Sequence, residues 1–213
     1  MKLYLTRHGE TDWNLEKKIQ GPTSSRLTEN GRRQAMQLKE YLGKEKVSFD
    51  KMFCSTTTRT KETLEIVYPK YLDRQGVIME ENIVERLHSD IIGLKIENIE
   101  GIVKKRASQR LSWELYFEGT ENSVLTGHFA NDETIDDIKK RLLRFVKKLS
   151  LLQEEATVLV IGHSNFNQFL LEYFKFKTVA ENKYDDFQKN NELRILKIDN
   201  EQNLISMNKV FLE

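Results

Sequence analysis

Between Thr157 and Gly162 the chain reads Thr-Val-Leu-Val-Ile-Gly, apolar and β-branched with no polar alternation. That pattern predicts a central strand covered on both faces. Shorter strands are predicted at Leu3-Tyr4-Leu5, over Phe49 to Cys54 and over Gly76 to Met79. Two more, Leu193 to Ile198 and Leu204 to Val210, flank the turn residues Asp199-Asn200. Helical spacing alternates with these strands. Thr28 is a good N-cap for a helix striped by Ala35, Leu38 and Leu42, with Gly43 fitting its C-terminus. Hydroxyls in Ser55-Thr56-Thr57-Thr58 cap a helix carrying Thr60, Leu64 and Val67, stopped by Pro69. Thr134 with Asp137 resembles a capping box, followed by Ile135, Ile138, Leu142, Phe145, Val146, Leu149 and Leu152 on one face. A last helix carries Phe166, Phe169, Leu170 and Tyr173. The alternation predicts an α/β fold of three layers, a mostly parallel central sheet flanked by helices.

Residues 88–132 fit this rhythm least. Ile91-Ile92-Gly93, Ile96, Ile99, Ile102 and Val103 suggest a helical stripe, and Leu111, Trp113, Leu115, Tyr116 and Phe117 more buried surface. Gly119 through Asn131 is polar and loop-like. The expectation is one domain over 1–213 with a cap insertion at about 88–132, in which Trp113 and Tyr116 belong to the core or face a substrate.

Chemistry collects where strands end. Leu3-Tyr4-Leu5 runs into Arg7-His8-Gly9-Glu10-Thr11, placing a guanidinium and an imidazole at the carboxyl edge of a sheet, where open α/β sheets bind ligands. Gly9 suits a positive φ or a close approach of a ligand to the backbone. Arg59 falls in the first turn of the helix after the second strand, where a helix N-terminus already favours anions. His163-Ser164-Asn165 follows the central strand. In a mostly parallel sheet these ends converge, and two arginines with two histidines make a strongly positive pocket for a compact dianion such as phosphate. Asn14 and Gln20 stand near His8 in sequence and read equally as amide donors to a ligand or as ordinary loop polars. Glu85, between Val84 and Leu87, is a candidate proton donor, whereas Glu80 and Glu81 read as solvated charges. His88 and His128 read as incidental.

Composition narrows the classes. The 213 residues carry 34 Lys plus Arg against 33 Asp plus Glu, a net charge of +1. That balance argues against a nucleic-acid coat or a polybasic membrane anchor. With 38% hydrophobic and 31% charged residues the chain can bury a core and stay soluble. Cys54 is the only cysteine, so no internal disulfide forms, and its place beside Met52 and Phe53 suggests a buried hydrophobe. No apolar run reaches membrane-spanning length, no signal-peptide pattern precedes Leu3, and a cytoplasmic location is expected. No HxH, HExxH or paired Cys/His spacing predicts a metal site.

With these residues assembled, the chain resembles the histidine phosphatase superfamily, the phosphoglycerate mutase-like family. The likeness rests on Arg7-His8-Gly9-Glu10-Thr11, Trp13-Asn14, Gln20-Gly21, and Leu27-Thr28 with Gly31, Gln34 and Ala35. It continues with Ser55 and Arg59 in a Ser-x-x-x-Arg-Thr pattern, Glu85, and Gly162-His163. The resemblance implies a phosphoglycerate mutase-like fold and a phosphomonoesterase using no cofactor or metal, acting on a small phosphorylated metabolite. His8 would become a phosphohistidine. Arg7, Arg59 and His163 would hold the non-bridging oxygens, and Glu85 would protonate the leaving oxygen and then activate water. Asn14, Gln20 and Gly21 would lie on the phosphate side. Oligomeric state is left open.

Two departures separate this chain from relatives. Ser164 follows the late histidine where many members have Gly, and it would narrow the pocket or donate a hydrogen bond to the substrate. Mutases resemble Glu-Arg-x-Tyr-Gly followed by an Arg-Arg pair that grips a carboxylate. Here Glu85-Arg86 is followed by Leu87-His88-Ser89, with only the dispersed Lys104, Lys105, Arg106 and Arg110 beyond. The expectation is a phosphatase. The alternatives are a phosphoglycerate mutase using a 2,3-bisphosphoglycerate primer and a noncatalytic phospholigand-binding protein on the same fold.

Overall fold

Strands β1 (Lys2–Arg7), β2 (Lys51–Ser55), β3 (Val77–Glu80), β4 (Thr157–Gly162), β5 (Glu192–Ile198) and β6 (Leu204–Phe211) form one sheet in the order β3-β2-β4-β1-β5-β6. The computed structural model describes residues 1–69, 76–88, 91–99, 133–176 and 188–212. The first four strands run parallel, and β5 and β6 add an antiparallel hairpin beside β1. Five helices accompany them among the described residues: α1 (Asp12–Leu15), α2 (Glu29–Lys44), α3 (Thr58–Val67), α4 (Ile135–Ser150) and α5 (Ser164–Phe176). The fold is the expected α/β sheet flanked by helices.

Strand β4 explains both the layering and the site. Val158 and Val160 pack with Leu3, Leu5 and Phe53 against Ile138, Leu142 and Phe145 of α4 and Phe166 and Phe169 of α5. Leu159 and Ile161 face the other way, with Tyr4, Met52 and Cys54, against Ala35, Leu38 and Leu42 of α2 and Leu64 and Val67 of α3. A strand with a helical layer on each face has no use for polar alternation. Each such side chain contributes about 1.5–3 kcal/mol by leaving water. β4 also arrives last of the parallel strands and inserts between β1 and β2, pairing Arg7 with Gly162 and Cys54 with Ile161. Three strand ends far apart in sequence thereby become neighbours.

Several local expectations shift. Helix α2 runs through Gly43 to a cap at Glu45, since Gly43 keeps a negative φ and nothing forces a stop there. β2 begins at Lys51, and Phe49 lies before it with its ring edge-on to Tyr4 at 5.2 Å. β3 includes Glu80 rather than Gly76. Glu80 is not solvated. It is buried, ion-paired with Lys148, and accepts hydrogen bonds from the Asn82 backbone and side chain. The stripe starting at Ile91 is not an α-helix. Gly93 adopts a φ of +81°, and residues 93–96 pair with the loop after α1 through Gly93 N to Ile19 O and Ile96 N to Lys17 O. A 3-10 turn, Ile96–Ile99, follows. Most of the expected cap at 88–132, with Ile102, Val103, Trp113, Tyr116, His128 and the dispersed cations, lies outside the described residues.

Candidate active site

His8 follows the last residue of β1 and is 1% exposed. Its Nδ1 lies 2.7 Å from the Gly9 carbonyl, which can only accept, so Nδ1 carries the proton. Nε2 therefore presents a lone pair, and Arg59 Nε donates to it at 3.0 Å. The surrounding loop is held from outside: Asn190 Nδ2 donates to the His8 carbonyl at 2.8 Å, and Gly9 N donates to Thr63 Oγ1 at 3.1 Å. Gly9 has no positive φ, contrary to one expectation. The backbone that comes close is the chain's own. A Cβ on Gly9 would sit 2.3 Å from the Gly31 carbonyl oxygen of α2.

Arg59, in the first turn of α3, is 1% exposed and spends every N–H on the protein. Nη1 donates to the Thr23 carbonyl at 2.8 Å and to Ser25 Oγ at 3.4 Å. Nη2 donates to the Gly21 carbonyl at 2.6 Å and to His163 Nδ1 at 3.1 Å. The 21–25 loop thus anchors one side of the guanidinium, and the two imidazoles take the rest. Gly21, expected on the substrate, gives its carbonyl to Arg59. Its φ of +54° turns the loop there.

His163 follows β4 and is fully buried. Because Arg59 can only donate, His163 Nδ1 accepts, and Nε2–H is the donor to Ser55 Oγ at 2.8 Å. Thr57 Oγ1 stands 3.4 Å from the same nitrogen. Thr57 occupies the N-cap of α3 without a capping bond; its hydroxyl engages Thr60 and His163 instead. The His8 and His163 rings are 5.3 Å apart. Burial first, then Arg59 and other nearby cations, hold both imidazoles well below their ordinary pKa, so both are neutral near neutral pH. Burial likewise brings Arg59 down to about 10, still charged.

Arg7 is partly buried and donates from Nη1 to the Gln188 carbonyl at 3.3 Å. Its buried Nε has no hydrogen-bond partner among the described residues. A buried guanidinium N–H of this kind is chemically suited to an anionic acceptor. Glu85, 9% exposed, lies within electrostatic reach of both guanidiniums. Its Oε1 accepts from Arg86 N at 2.9 Å and its Oε2 from Asn165 N, in the first turn of α5, at 3.4 Å. Ser164 is the first residue of α5 and is 8% exposed.

Thr11 and Ser25 together orient Asn14 and Gln20, the Thr11 backbone N donating to Asn14 Oδ1 at 3.1 Å. Thr11 Oγ1 lies 3.0 Å from Asn14 Oδ1 and 3.0 Å from Gln20 Oε1, and Ser25 Oγ donates to the latter at 2.6 Å. With both oxygens tied back, the amide NH2 groups are the ends available to a ligand. Asn14 sits not in a loop but in the one-turn helix α1, where it completes a capping box with Thr11.

Sequence reasoning missed Thr11, Thr57, Thr63, Gln188 and Asn190 as supports. The hydroxyls after β2 signalled a cap and were diverted to His163. The amide-rich stretch Gln188-Lys189-Asn190-Asn191 could have been found from the hairpin, because β5 runs antiparallel to β1 and begins where β1 ends. Among the described residues, no group of three or more His, Cys, Asp or Glu could hold a metal ion, and no helix is long and apolar enough to cross a membrane.

Two histidines, two arginines and a carboxylate gathered at the carboxyl edge of this sheet define a class, and the family model for the histidine phosphatase superfamily (branch 1) matches residues 3–209. The chain belongs to that superfamily and is an enzyme of the phosphatase class. It is 31% identical over 159 residues to the uncharacterized phosphatase PhoE of Bacillus subtilis, covering 75% of this chain and 69% of that protein. It is 37% identical over 97 residues to the protein of Cronobacter sakazakii named probable phosphoglycerate mutase GpmB, covering 43% of this chain and 44% of that one. The alpha-ribazole phosphatase structure from Shigella flexneri superposes with a TM-score of 0.70 at 22% identity, covering all of this chain and 96% of that one. At that identity the likeness speaks for the fold alone.

Proposed function

We propose that this chain is a metal-independent phosphomonoesterase that works through a phosphohistidine at His8 on a small phosphorylated metabolite. One observation carries the reading: His8 is held neutral with its Nε2 lone pair turned to Arg59, 3.0 Å away. A nucleophile of this kind must be unprotonated. In the first step Nε2 bonds to phosphorus while the ester P–O bond breaks, and protonated Glu85 gives its proton to the departing alcohol. In the second, water attacks phosphorus, Glu85 takes its proton, and the P–N bond breaks to release phosphate and neutral His8. Arg7 and Arg59 supply the positive charge opposite the non-bridging oxygens, so the residues themselves meet the electrostatic need. His163, freed from Arg59, would take up a proton from solvent at Nδ1 as the dianion binds and become an imidazolium donor to it. Asn14 and Gln20 would add amide donors, and Ser164 a hydroxyl at the helix N-terminus.

The relative named as a mutase keeps that activity in view. The absence of an Arg-Arg pair after Glu85 in the sequence favours hydrolysis. A pure binding protein has no need of a carboxylate beside two guanidiniums. The lone cysteine, Cys54, buried with its thiol pushed up to about 12 by that burial, suits a reducing cytoplasm and no nucleophilic role. The test is rapid quenching during turnover of a phosphomonoester panel. Acid-labile phosphate should appear on His8, vanish with activity in His8→Ala, and form undiminished in EDTA. Label on another residue, or activity lost to EDTA and restored by one divalent metal, would reject the mechanism. Rapid interconversion of phosphoglycerates with 2,3-bisphosphoglycerate and little phosphate release would establish the mutase instead.

A further inference from the structure

Glu85 sits on irregular backbone, residues 84–88, between the 3-10 turn Glu81–Ile83 and the end of the described segment. A group that must deliver a proton along one line needs its backbone fixed, and a loop does not do this by itself. The two N–H groups that Glu85 accepts from orient its carboxylate but leave the main chain free.

The main chain is instead gripped on both sides by one largely buried ion pair. Arg141 of α4 donates from Nη1 to the carbonyls of Asn82 and Val84, both at 2.8 Å. Its Nε and Nη2 engage Glu133 Oε1 and Oε2, the latter at 3.0 Å. Glu133 then holds the far side of Glu85: its Oε2 accepts from Leu87 N at 3.3 Å and its backbone N donates to Leu87 O at 3.1 Å. Arg86 Nη2 also reaches the Glu133 carbonyl at 3.4 Å. Arg141 is 7% exposed and lies 5.0 Å from the ring centroid of Phe166 in α5, the helix whose first turn meets Glu85 Oε2. Asn82, Val84 and Leu87 are thus tied to α4 and α5 through two side chains.

Stability alone does not call for this arrangement. A buried ion pair costs desolvation that its attraction only roughly offsets, and apolar packing would serve the fold as well. What packing cannot do is set three named backbone groups on either side of one carboxylate. We infer that the Glu133–Arg141 pair positions Glu85 for proton transfer, Arg141 and Glu133 being positioning residues for that reaction. The inference rests on Glu85 being the acid.

The test separates the two ideas by leaving group. A nitrophenolate departs without a proton, whereas an alkoxide needs one. Single-turnover phosphorylation of the enzyme by p-nitrophenyl phosphate and by β-glycerophosphate is measured for wild type, Glu85→Gln, Arg141→Lys and the double variant. Lysine keeps the charge but cannot bridge Glu133 and two carbonyls. Arg141→Lys should slow the alkyl substrate about 10- to 100-fold, as misplacement of about 1 Å does, while the aryl rate stays within about twofold. In the double variant the alkyl rate should fall no further than in Glu85→Gln, since one residue acts through the other. Equal slowing of both substrates, no slowing, or additive losses would overturn the positioning role while leaving Glu85 as the acid. If Glu85→Gln itself shows no difference between leaving groups, the acid assignment fails and the positioning role falls with it. Should Arg141→Lys not fold, Glu133→Ala removes the side-chain acceptor of Leu87 N and the carboxylate that holds Arg141, and carries the same comparison.

Discussion

Arg59 Nε caps the lone pair of His8 Nε2 at 3.0 Å, so the proposed nucleophile and the cation proposed to hold its target share one proton. Under that proposal neither acts on a phosphate until the bond opens. Three of the five Arg59 N–H groups stay anchored on Gly21, Thr23 and Ser25. In the proposed mechanism only the two facing the imidazoles would be exchanged for phosphate oxygens, which would make substrate binding and exposure of the lone pair one event.

Arg59→Lys should therefore lose more than charge. An ammonium cannot reach the 21–25 loop and both imidazoles from one plane. Loss of a preorganised donor in such a site typically costs about 10²–10³ in kcat. Turnover of p-nitrophenyl phosphate should drop by that order with the circular dichroism unchanged; a loss under about fivefold would mean Arg59 has no transition-state contact.

Thr11→Val keeps the side-chain shape and deletes the hydroxyl that lies between Asn14 Oδ1 and Gln20 Oε1. Asn14 Oδ1 keeps the Thr11 backbone N–H and Gln20 Oε1 keeps Ser25 Oγ, so each amide loses one of its anchors and is held less firmly. The cap on α1 is lost too, worth about 1 kcal/mol. KM for phosphomonoesters should rise several-fold with a smaller change in kcat. A lowered melting temperature with KM unmoved would confine Thr11 to capping.

Gly9 and Gly43 make opposite predictions for the same substitution. A Cβ at Gly9 meets backbone, the Gly31 carbonyl at 2.3 Å, whereas one at Gly43 meets nothing within 4 Å. Gly9→Ala should destabilise by about 1–3 kcal/mol and displace His8. Gly43→Ala, inside α2, should stabilise by about 0.5–1 kcal/mol. Denaturant midpoints of the two variants check both signs.

These glycines also mark where sequence stops being informative. The order of strands and helices was legible because β4 is apolar on both faces and the helices carry apolar stripes on a capped frame. The positions of Arg7, His8 and His163 were legible because each sits at the end of an apolar run, and that of Arg59 because hydroxyls after another such run mark a helix start. Their contacts were not. That Arg59 leans on the 21–25 loop, that Thr57 abandons its cap for His163, and that Glu80 is buried against Lys148 all depend on distant partners. The Glu133–Arg141 grip on the Glu85 backbone joins residues about fifty apart through carbonyls, which leave no mark in side-chain patterning.

The last prediction is that the ligand-free site destabilises the fold in acid. His8 and His163 are both held well below their ordinary pKa, by burial first and then by Arg59 and other nearby cations. An unfolded histidine titrates near about 6.5. As pH falls below that value, the unfolded chain takes up protons at both positions while the folded chain does not. Stability from these groups is therefore complete above about pH 6.5 and is lost as pH falls toward the folded values. Each histidine contributes at most about 1.4 kcal/mol per pH unit to the slope. His8→Asn and His163→Gln each delete one such proton, so their stability curves between pH 7 and 5 should be flatter than wild type, and the double variant flatter still. A bound dianion reverses the argument at His163, because it favours the imidazolium that Arg59 disfavours. Saturating sulfate, which unlike phosphate stays a dianion throughout this range, should therefore stabilise the wild type and also reduce its acid slope, with a smaller effect in His163→Gln. Urea midpoints at several pH values, with and without sulfate, provide the measurement. Parallel curves for wild type and both single variants would show that these imidazoles accept protons in the folded state, and the neutral nucleophile would have to be abandoned.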